Sequence, residues 1–185
     1  MLNTLLSPID NNNNLDKEHK DKGDLLSQID VLNKKVTLNK DVVVKTNKIL
    51  SEENQQLLKE SKVVIFGMGG LGGYVAEGLT RVGIGELVLI DYDVFSETNL
   101  NRQRFSYEDN IGKKKVLEAK KELNKINSEV KINVIDVKLS EKEIEELFLD
   151  EKIKIVVDCL DTIKDRLVLE TLCAKNNKIL IHGSI

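Results

Sequence analysis

The sequence predicts an α/β protein with a doubly wound, mostly parallel sheet in the strand order 3-2-1-4-5. Short apolar runs alternate with stretches whose apolar residues recur at helical spacing, which is typical of repeated strand–helix–strand units. The first apolar run stops at a glycine cluster (Gly67, Gly69, Gly70 and Gly72), and a helical pattern begins at once. Right-handed crossovers place the fourth strand beside the first, so we expect a Rossmann-like fold with its cleft between these strands.

The composition favours a globular protein of about one domain. The chain has 185 residues, of which 41% are hydrophobic and 32% charged, and its net charge of −3 argues against nucleic-acid binding as the main activity. No apolar run approaches the ~18 residues that span a membrane, and the N-terminus lacks a signal pattern, so we expect a cytoplasmic protein. Cys159 and Cys173 form no C-x-x-C pair, so we expect buried thiols and no zinc site in this chain.

Residues 1–44 differ in composition from the rest of the chain. Four consecutive asparagines at 11–14 lie in a polar, charged tract with too little apolar surface to offset the entropy of ordering. We therefore expect a flexible, low-complexity extension with a short helical stretch, followed by a folded domain over 45–185. A partner-binding role for the extension stays open, and we favour a dispensable tail.

The glycine cluster predicts a phosphate site between a first strand, over 62–67, and a helix over 70–82. Gly67 permits the tight turn, Gly69 leaves room for a phosphate, and Gly72 lets the helix pack closely on the strand. The free N–H groups of the helix then face a nucleotide phosphate above the turn. We expect four apolar residues to form the buried stripe of this helix: Leu71, Val75, Leu79 and Val82.

The remaining elements follow from the same patterns. Ser51 is suited to cap a helix that ends at Glu60 and packs Leu57 and Leu58 against the sheet. Further strands are predicted over 86–91, 131–137, 153–158 and 178–181, with helices over 113–126, 140–149 and 163–175.

Polar residues at the carboxyl ends of these strands are candidates for nucleotide contacts. Asp91 ends the second strand about 20 residues beyond the glycines, where an acid can bind a ribose hydroxyl; a solvated strand-end aspartate is the alternative. The long connection 92–112 carries two of the four arginines, Arg102 and Arg104, whose planar forks suit phosphate. Lys115 opens a helix with two more lysines, a conflict with the dipole that an anion would remove; a solvated run of lysines is the alternative.

Asp161 follows the fourth strand and is the candidate metal ligand. An acid beside a polyphosphate repels it unless a cation bridges them, which favours magnesium. The alternative role, as N-cap of the helix over 163–175, is compatible with it. His182 follows the fifth strand, and we expect it to be structural.

Two classes of enzyme use such a site. A dehydrogenase needs a second, substrate-binding domain and a proton-transfer residue, for which only His182 is a candidate. An ATP-dependent adenylyltransferase needs arginines and a lysine for the triphosphate, an acid for the ribose and an acid for the metal. The sequence contains that second set of residues.

The motifs resemble those of the ThiF/MoeB/HesA family, adenylating enzymes related to the ubiquitin-activating enzymes. The resemblance extends over about residues 50–185, and the order and spacing of six motifs make it specific. These motifs are Gly67-Met-Gly-Gly-Leu-Gly, Gly83-Ile-Gly, Asp91-Tyr-Asp93, Asn99-Leu-Asn-Arg102-Gln103, Ile111-Gly-Lys-Lys-Lys115 and Asp158-Cys-Leu-Asp161.

The resemblance implies an activity and a role for each matching residue. MgATP would adenylate the C-terminal glycine of a ubiquitin-like sulfur-carrier protein, as in thiamine- or molybdopterin-type sulfur transfer. The implied nucleotide contacts include Asp93, the ribose contact is Asp91, and the magnesium ligand is Asp161. The implied phosphate contacts are Asn99, Arg102, Gln103 and Lys115; of these site residues, Arg102, Lys115 and Asp161 would be catalytic.

Two other functions stay open. The same motifs resemble the dehydratase that cyclises threonylcarbamoyladenosine in tRNA, which activates a small carboxylate at the same ATP site. We favour the sulfur-carrier branch because His182-Gly-Ser-Ile is more similar to it. A non-catalytic nucleotide-binding fragment is the third function, because family members continue beyond the fifth strand and we expect this domain to be truncated at its C-terminus.

One feature of the family is missing on the N-terminal side of this sequence. Family members commonly form homodimers in which an arginine before the first strand reaches the partner's ATP. No arginine precedes Arg81 here, and Lys45 or Lys48 is the candidate to replace it. We expect a homodimer for a full-length form.

Overall fold

The computed structural model describes residues 50–183. The predicted N-terminal extension and the lysines at 45 and 48 lie outside these residues. The described chain forms α1 (Glu52–Glu60), β1 (Lys62–Phe66), α2 (Gly72–Val82), β2 (Glu86–Ile90), α3 (Lys115–Ile126), β3 (Lys131–Ile135), α4 (Glu141–Phe148), β4 (Ile153–Asp158), α5 (Ile163–Lys175) and β5 (Ile179–His182), with 3-10 turns at Glu97–Asn99 and Glu108–Asn110.

The sheet confirms the predicted order. Its five strands run β3-β2-β1-β4-β5, and every neighbouring pair is parallel. Phe66 at the end of β1 lies opposite Ile90 on β2 and Asp158 on β4. The carboxyl ends of the three central strands therefore lie side by side, and the chain segments that follow them share one edge of the sheet.

Both faces of the sheet are covered by helices. Val63 and Ile65 of β1 pack with residues of α2 and α3, whereas Val64 and Phe66 pack with residues of α4 and α5. Alternate side chains of a strand point to opposite faces, so the continuous apolar run of β1 serves two separate cores. None of the helices among residues 50–183 is long and apolar enough to cross a membrane.

The predicted buried stripe of α2 is partly wrong. Val82 is 43% exposed, and the buried positions are Gly72, Gly73, Ala76, Glu77 and Thr80, while Val75 and Leu79 are partly buried. Small residues bring the α2 backbone against the strand, which turns the larger apolar side chains to the flank of the contact. The buried face of α2 therefore differs from the one that the apolar spacing predicts, and it includes the carboxylate of Glu77.

The prediction for α1 also needs one correction. Ser51 caps this helix as predicted, accepting a hydrogen bond from the backbone N–H of Asn54 at 3.3 Å. Leu58 packs against the core, but Leu57 is 57% exposed. Successive residues of an α-helix point about 100° apart, and this helix turns Leu58 to the core and Leu57 to solvent.

Candidate functional site

A cleft of about 910 Å³ lies over the carboxyl ends of the central strands. Residues from the turn after β1, the segment after β2, the start of α3 and the loop after β4 line it together. Three of the predicted site residues do not line this cleft: Gly72, Asn99 and Arg104. Those that line it are Gly67, Gly69, Gly70, Asp91, Asp93, Arg102, Gln103, Lys115 and Asp161.

The glycine turn forms the floor of the cleft. Gly67 has φ of 91°, and a Cβ there would lie 2.7 Å from the carbonyl oxygen of Cys159. A Cβ on Gly72 would lie 1.8 Å from the carbonyl oxygen of Gly67, so the fold requires glycine at both positions. A Cβ on Gly69 would meet only the Gln103 amide nitrogen, at 3.7 Å. Packing within the protein does not demand glycine at 69, and a side chain there would instead take up space in the cleft.

Asp91 fixes the shape of the turn. One carboxylate oxygen accepts a hydrogen bond from the backbone N–H of Met68 at 2.7 Å, and the other accepts from the backbone N–H of Asp93 at 2.8 Å. Each carboxylate oxygen has a second lone pair, so the side chain can still accept from a ligand hydroxyl. Asp91 thus ties the end of β2 to the glycine turn while it lines the cleft.

Lys115 supplies a buried cation at the first residue of α3. The residue is only 6% exposed, and its Nζ lies 3.0 Å from a carboxylate oxygen of Asp93, which is itself exposed to solvent. The backbone N–H of Lys115 also donates to the carbonyl of Asp93 at 3.1 Å. This double contact holds the ammonium group at the cleft, with Asp93 as its counter-ion.

The segment after β2 brings Arg102 and Gln103 to the cleft. The Arg102 guanidinium donates to the carbonyl of Thr98 and to the side chain of Asn101. Gln103 is 8% exposed, and its Oε1 is a buried acceptor without a hydrogen-bond partner. Because buried polar atoms are usually paired, this oxygen marks a place where a ligand or water donor completes the site.

Asn99 and Arg104 are placed differently from their sequence predictions. Asn99 is buried outside the cleft, where its side-chain oxygen accepts from the backbone N–H of Ser96 at 3.0 Å and shapes the turn. Arg104 does not line the cleft either; its Nε donates to the carboxylate of Glu77 on α2. Of the two arginines predicted to bind phosphate, the structure therefore brings only Arg102 to the cleft.

Asp161 lies on the opposite wall, in the loop after β4. Its side chain is exposed and accepts a hydrogen bond from the Thr162 hydroxyl at 3.2 Å. The N-cap of α5 is Thr162, so the alternative prediction that Asp161 caps this helix is wrong. Residues 50–183 contain no cluster of three or more His, Cys, Asp or Glu side chains that could hold a metal alone.

A buried aspartate, Asp158, pairs with a half-exposed histidine, His182, beneath this loop. Asp158 is fully buried and accepts from the backbone N–H of Leu160 at 2.9 Å, while its other oxygen lies 2.8 Å from Nδ1 of His182. Arg166 of α5 joins them, with Nε 3.6 Å from the Asp158 carboxylate and Nη1 3.2 Å from Nε2 of His182. These contacts join β4, β5 and α5 through His182; that its role is structural stays a prediction.

The sequence did not reveal the outer half of the cleft. Lys138 follows β3 and forms an ion pair of 2.9 Å with Asp165 in the first turn of α5, and its Nζ lies 5.9 Å from the centre of the Tyr92 ring. All three residues line the cleft beside an apolar patch. The patch comprises Val137, Leu139, Ile144, Leu160, Val168 and Leu169. Lys138 lies near the carboxyl end of β3, and this position in the sequence could have marked it as a residue of the cleft.

The expectation of buried thiols is confirmed for Cys173 and only partly for Cys159. Cys173 is buried and Cys159 is partly buried at the edge of the cleft. Burial, reinforced by the charge of Asp158, raises the pKa of each thiol to about 11. Neither thiol is a thiolate near neutral pH, so neither is poised as a nucleophile.

The parallel sheet, the glycine turn and the polar cleft at the strand ends define a Rossmann-like, doubly wound α/β protein. The chain belongs to the ThiF family, whose model matches residues 44–185. It is 34% identical over 146 residues to the molybdopterin-synthase adenylyltransferase of Haemophilus influenzae, covering 79% of this chain and 58% of that relative. It is 36% identical over 129 residues to the tRNA threonylcarbamoyladenosine dehydratase of the same organism, covering 69% and 49%.

The fold is also similar to solved structures. The tRNA N6-threonylcarbamoyladenosine dehydratase of E. coli, in complex with ATP, superposes with a TM-score of 0.71 at 29% sequence identity. That match covers 76% of this chain and 60% of the E. coli chain. This chain thus spans about half to three fifths of the length of these proteins.

Proposed function

We propose that the chain is an ATP-dependent adenylyltransferase that activates the C-terminal glycine of a ubiquitin-like sulfur-carrier protein. One observation carries the proposal: a single cleft is lined by a glycine turn, a buried lysine, an arginine and two acids at strand ends. Membership of the ThiF family and similarity to a molybdopterin-synthase adenylyltransferase support this class of reaction. Similarity to an ATP-bound structure supports ATP as the nucleotide.

The phosphate end of the cleft lies between the glycine turn and α3. Gly69 leaves space for a phosphate oxygen, and Lys115 and Arg102 supply cations on the side away from β4. During adenylation a carboxylate oxygen of the carrier bonds to the α-phosphorus, and the bond between α- and β-phosphates breaks to release pyrophosphate. Lys115 and Arg102 would stabilise the charge that develops on the leaving pyrophosphate.

The rest of the nucleotide would extend along the cleft from Asp91. The Asp91 carboxylate keeps lone pairs for the ribose hydroxyls, and the apolar patch provides a dry surface for the base. Lys138 and Asp165 form the rim of this outer half.

Asp161 fits a magnesium ion that is held mainly by a nucleotide. Magnesium in such sites takes one or two carboxylates and completes its shell with phosphates and water, so a single exposed aspartate is an adequate protein ligand. When bound, the ion would neutralise phosphate charge. Asp161 would therefore hold magnesium together with the phosphates of ATP.

A second candidate function has its own support. The tRNA threonylcarbamoyladenosine dehydratases include both a curated relative at 36% identity and a solved structure with a TM-score of 0.71. The motif that favoured the sulfur-carrier branch, His182-Gly-Ser-Ile, gains no support from the structure. His182 contacts Asp158, and the last two residues of the motif lie outside the described residues. Both functions activate a carboxylate at the same ATP site, so the substrate has to be tested directly.

Exchange of labelled pyrophosphate into ATP tests the proposal. The full 185-residue chain is incubated with MgATP and a panel of ubiquitin-like carriers ending in Gly-Gly, or with tRNA that carries threonylcarbamoyladenosine. Asp161→Ala removes the proposed magnesium ligand, and Asp109→Ala is the matched control, an exposed aspartate in the 3-10 turn Glu108–Asn110.

The outcomes separate the three functions. Carrier-dependent exchange that is lost in Asp161→Ala and retained in Asp109→Ala supports the proposal. Exchange that requires the modified tRNA supports the dehydratase. A folded chain that binds ATP and exchanges with neither substrate would leave the non-catalytic nucleotide-binding function.

A further inference from the structure

The buried carboxylate of Glu77 has no part in the chemistry proposed above. It is buried on α2, outside the cleft lining, and is 9% exposed. Two arginines neutralise it. Arg104 donates through Nε, and Arg81 donates through Nε at 2.9 Å and Nη2 at 2.6 Å. The hydrogen bond from Arg104, followed by that from Arg81, holds the pKa of Glu77 below its usual range.

Arg104 belongs to the segment that presents Arg102 and Gln103 to the cleft. It directly follows these residues in sequence, yet it does not line the cleft itself. Its Cβ would lie only 3.0 Å from a Cβ placed on Gly73, so this part of the segment lies against the first turn of α2. That first turn of α2 comes directly after the glycine turn. The contact between Gly73 and Arg104 therefore joins the glycine turn to the segment that carries Arg102 and Gln103.

The contact between Glu77 and Arg104 is distinctive within residues 50–183. The other side-chain hydrogen bonds of residues 96–110 remain within that segment; examples are Asn99 to the Ser96 backbone and Asn110 to the Phe105 carbonyl. Those bonds shape the segment but do not fix where it lies. Buried Phe105 adds apolar packing, which has no direction. The charge-assisted bond to Glu77 is thus the side-chain hydrogen bond that ties this segment to α2.

We infer that Glu77 is a positioning residue for the nucleotide. It acts through Arg104 to hold the Arg102 guanidinium and the Gln103 amide at the phosphate end of the cleft. The inference rests on the proposed function, because it assigns a task to the same site. It predicts that the contact matters for ligands that carry the phosphates and does not matter for the nucleoside alone.

Three variants of the full chain test the inference. Glu77→Gln keeps the volume of the side chain and removes its charge, and Arg104→Ala removes the partner. Arg81→Ala is the matched control, because Arg81 binds the same carboxylate from the last turn of α2 and does not belong to the segment. Affinities for ATP and for adenosine are measured by calorimetry, with thermal unfolding of each variant in parallel.

We expect Glu77→Gln and Arg104→Ala to bind ATP about tenfold more weakly, because each loses a charge-assisted hydrogen bond that orients two phosphate contacts. Adenosine affinity should stay within about twofold of the wild type, and Arg81→Ala should bind both ligands like the wild type. Arg104→Ala carries the test alone if Glu77→Gln does not fold, since the Arg104 side chain is partly exposed and Glu77 keeps Arg81 as a partner.

Other results would overturn the inference. A folded Arg104→Ala variant with wild-type ATP affinity would show that the contact does not position the segment. Equal losses for ATP and adenosine, together with a lower melting temperature, would show that Glu77 serves folding only. A folded wild-type chain that binds adenosine and ATP equally, or neither, would instead reject the phosphate site and with it the proposed function.

Discussion

Replacing Gly72 with alanine is expected to damage both the stability and the phosphate site of this chain. The added Cβ would lie 1.8 Å from the carbonyl oxygen of Gly67 and 2.9 Å from its carbonyl carbon. Both atoms belong to the backbone of the glycine turn, which is itself hydrogen-bonded to β2 through Gly67 N–H and the Ile90 carbonyl at 2.8 Å. No side chain can rotate away, so the turn or α2 has to move.

The expected magnitude follows from that overlap. Contacts of real Cβ atoms essentially never fall below 3.0 Å, so the backbones must separate by roughly 1 Å. Overpacking of a tight contact costs about 1–3 kcal/mol, and a clash with fixed backbone on both sides lies at the upper end, about 3 kcal/mol. For a domain of this size that corresponds to a loss of about 6–12 °C in Tm.

Gly78→Ala is the matched control on the same helix. Gly78 is exposed, and a Cβ there would meet nothing within 4 Å. Alanine is favoured over glycine in a helix interior by about 0.5–1 kcal/mol, so this variant should gain stability. The free energy of unfolding is measured for both variants by urea denaturation, and ATP affinity is measured on the folded proteins.

Opposite signs for the two variants would support the assigned packing, with ATP affinity lost only in Gly72→Ala. A Gly72→Ala variant as stable as the wild type would refute the close approach of α2 to the turn. Gly78→Ala losing more than about 1 kcal/mol would show that the outer face of α2 is not free as described.

Three further predictions concern buried groups. Asp158→Asn should lose about 3–5 kcal/mol because it leaves an arginine and a histidine with an incomplete partner, whereas Asp161→Asn should change stability by less than about 0.5 kcal/mol; urea denaturation of both variants checks this. The pKa of Glu77 is depressed, so its contribution to stability is present above its ordinary pKa of 4.5 and is lost as pH falls through the folded value; Glu77→Gln should flatten the acid side of the stability–pH curve. Cys159 and Cys173, with pKa values raised to about 11, should react with a thiol reagent at pH 8 much faster after denaturation than before it.

Local patterns predicted most of the fold. Continuous apolar runs marked the buried strands, and Ser51 and Ser140 marked helix starts that the structure confirms with side-chain caps. The crossover rule then yielded the strand order and the shared edge where most of the predicted site residues meet. These features depend on neighbours in sequence or on a general rule of handedness, which is why a single sequence was sufficient.

Contacts between distant residues could not be predicted in the same way. Arg104 has the residue type of a phosphate ligand, but its partner Glu77 lies 27 positions earlier and on a helix face that hydrophobic spacing did not mark as buried. Lys138 and Asp165 are equally far apart, and only the folded chain shows that they share the rim of the cleft. In each case the chemistry of the side chain is local information, whereas its use depends on the tertiary contact.

Intact-mass measurement of the carrier protein tests the central claim most directly. The 185-residue chain is incubated with MgATP and the carrier that supports exchange best, or with each carrier in turn, in the absence of a sulfur donor. The proposed function predicts a carrier heavier by one adenylyl group, with release of one pyrophosphate for each adenylate formed. An unchanged carrier mass in the presence of a folded chain that binds ATP would contradict it.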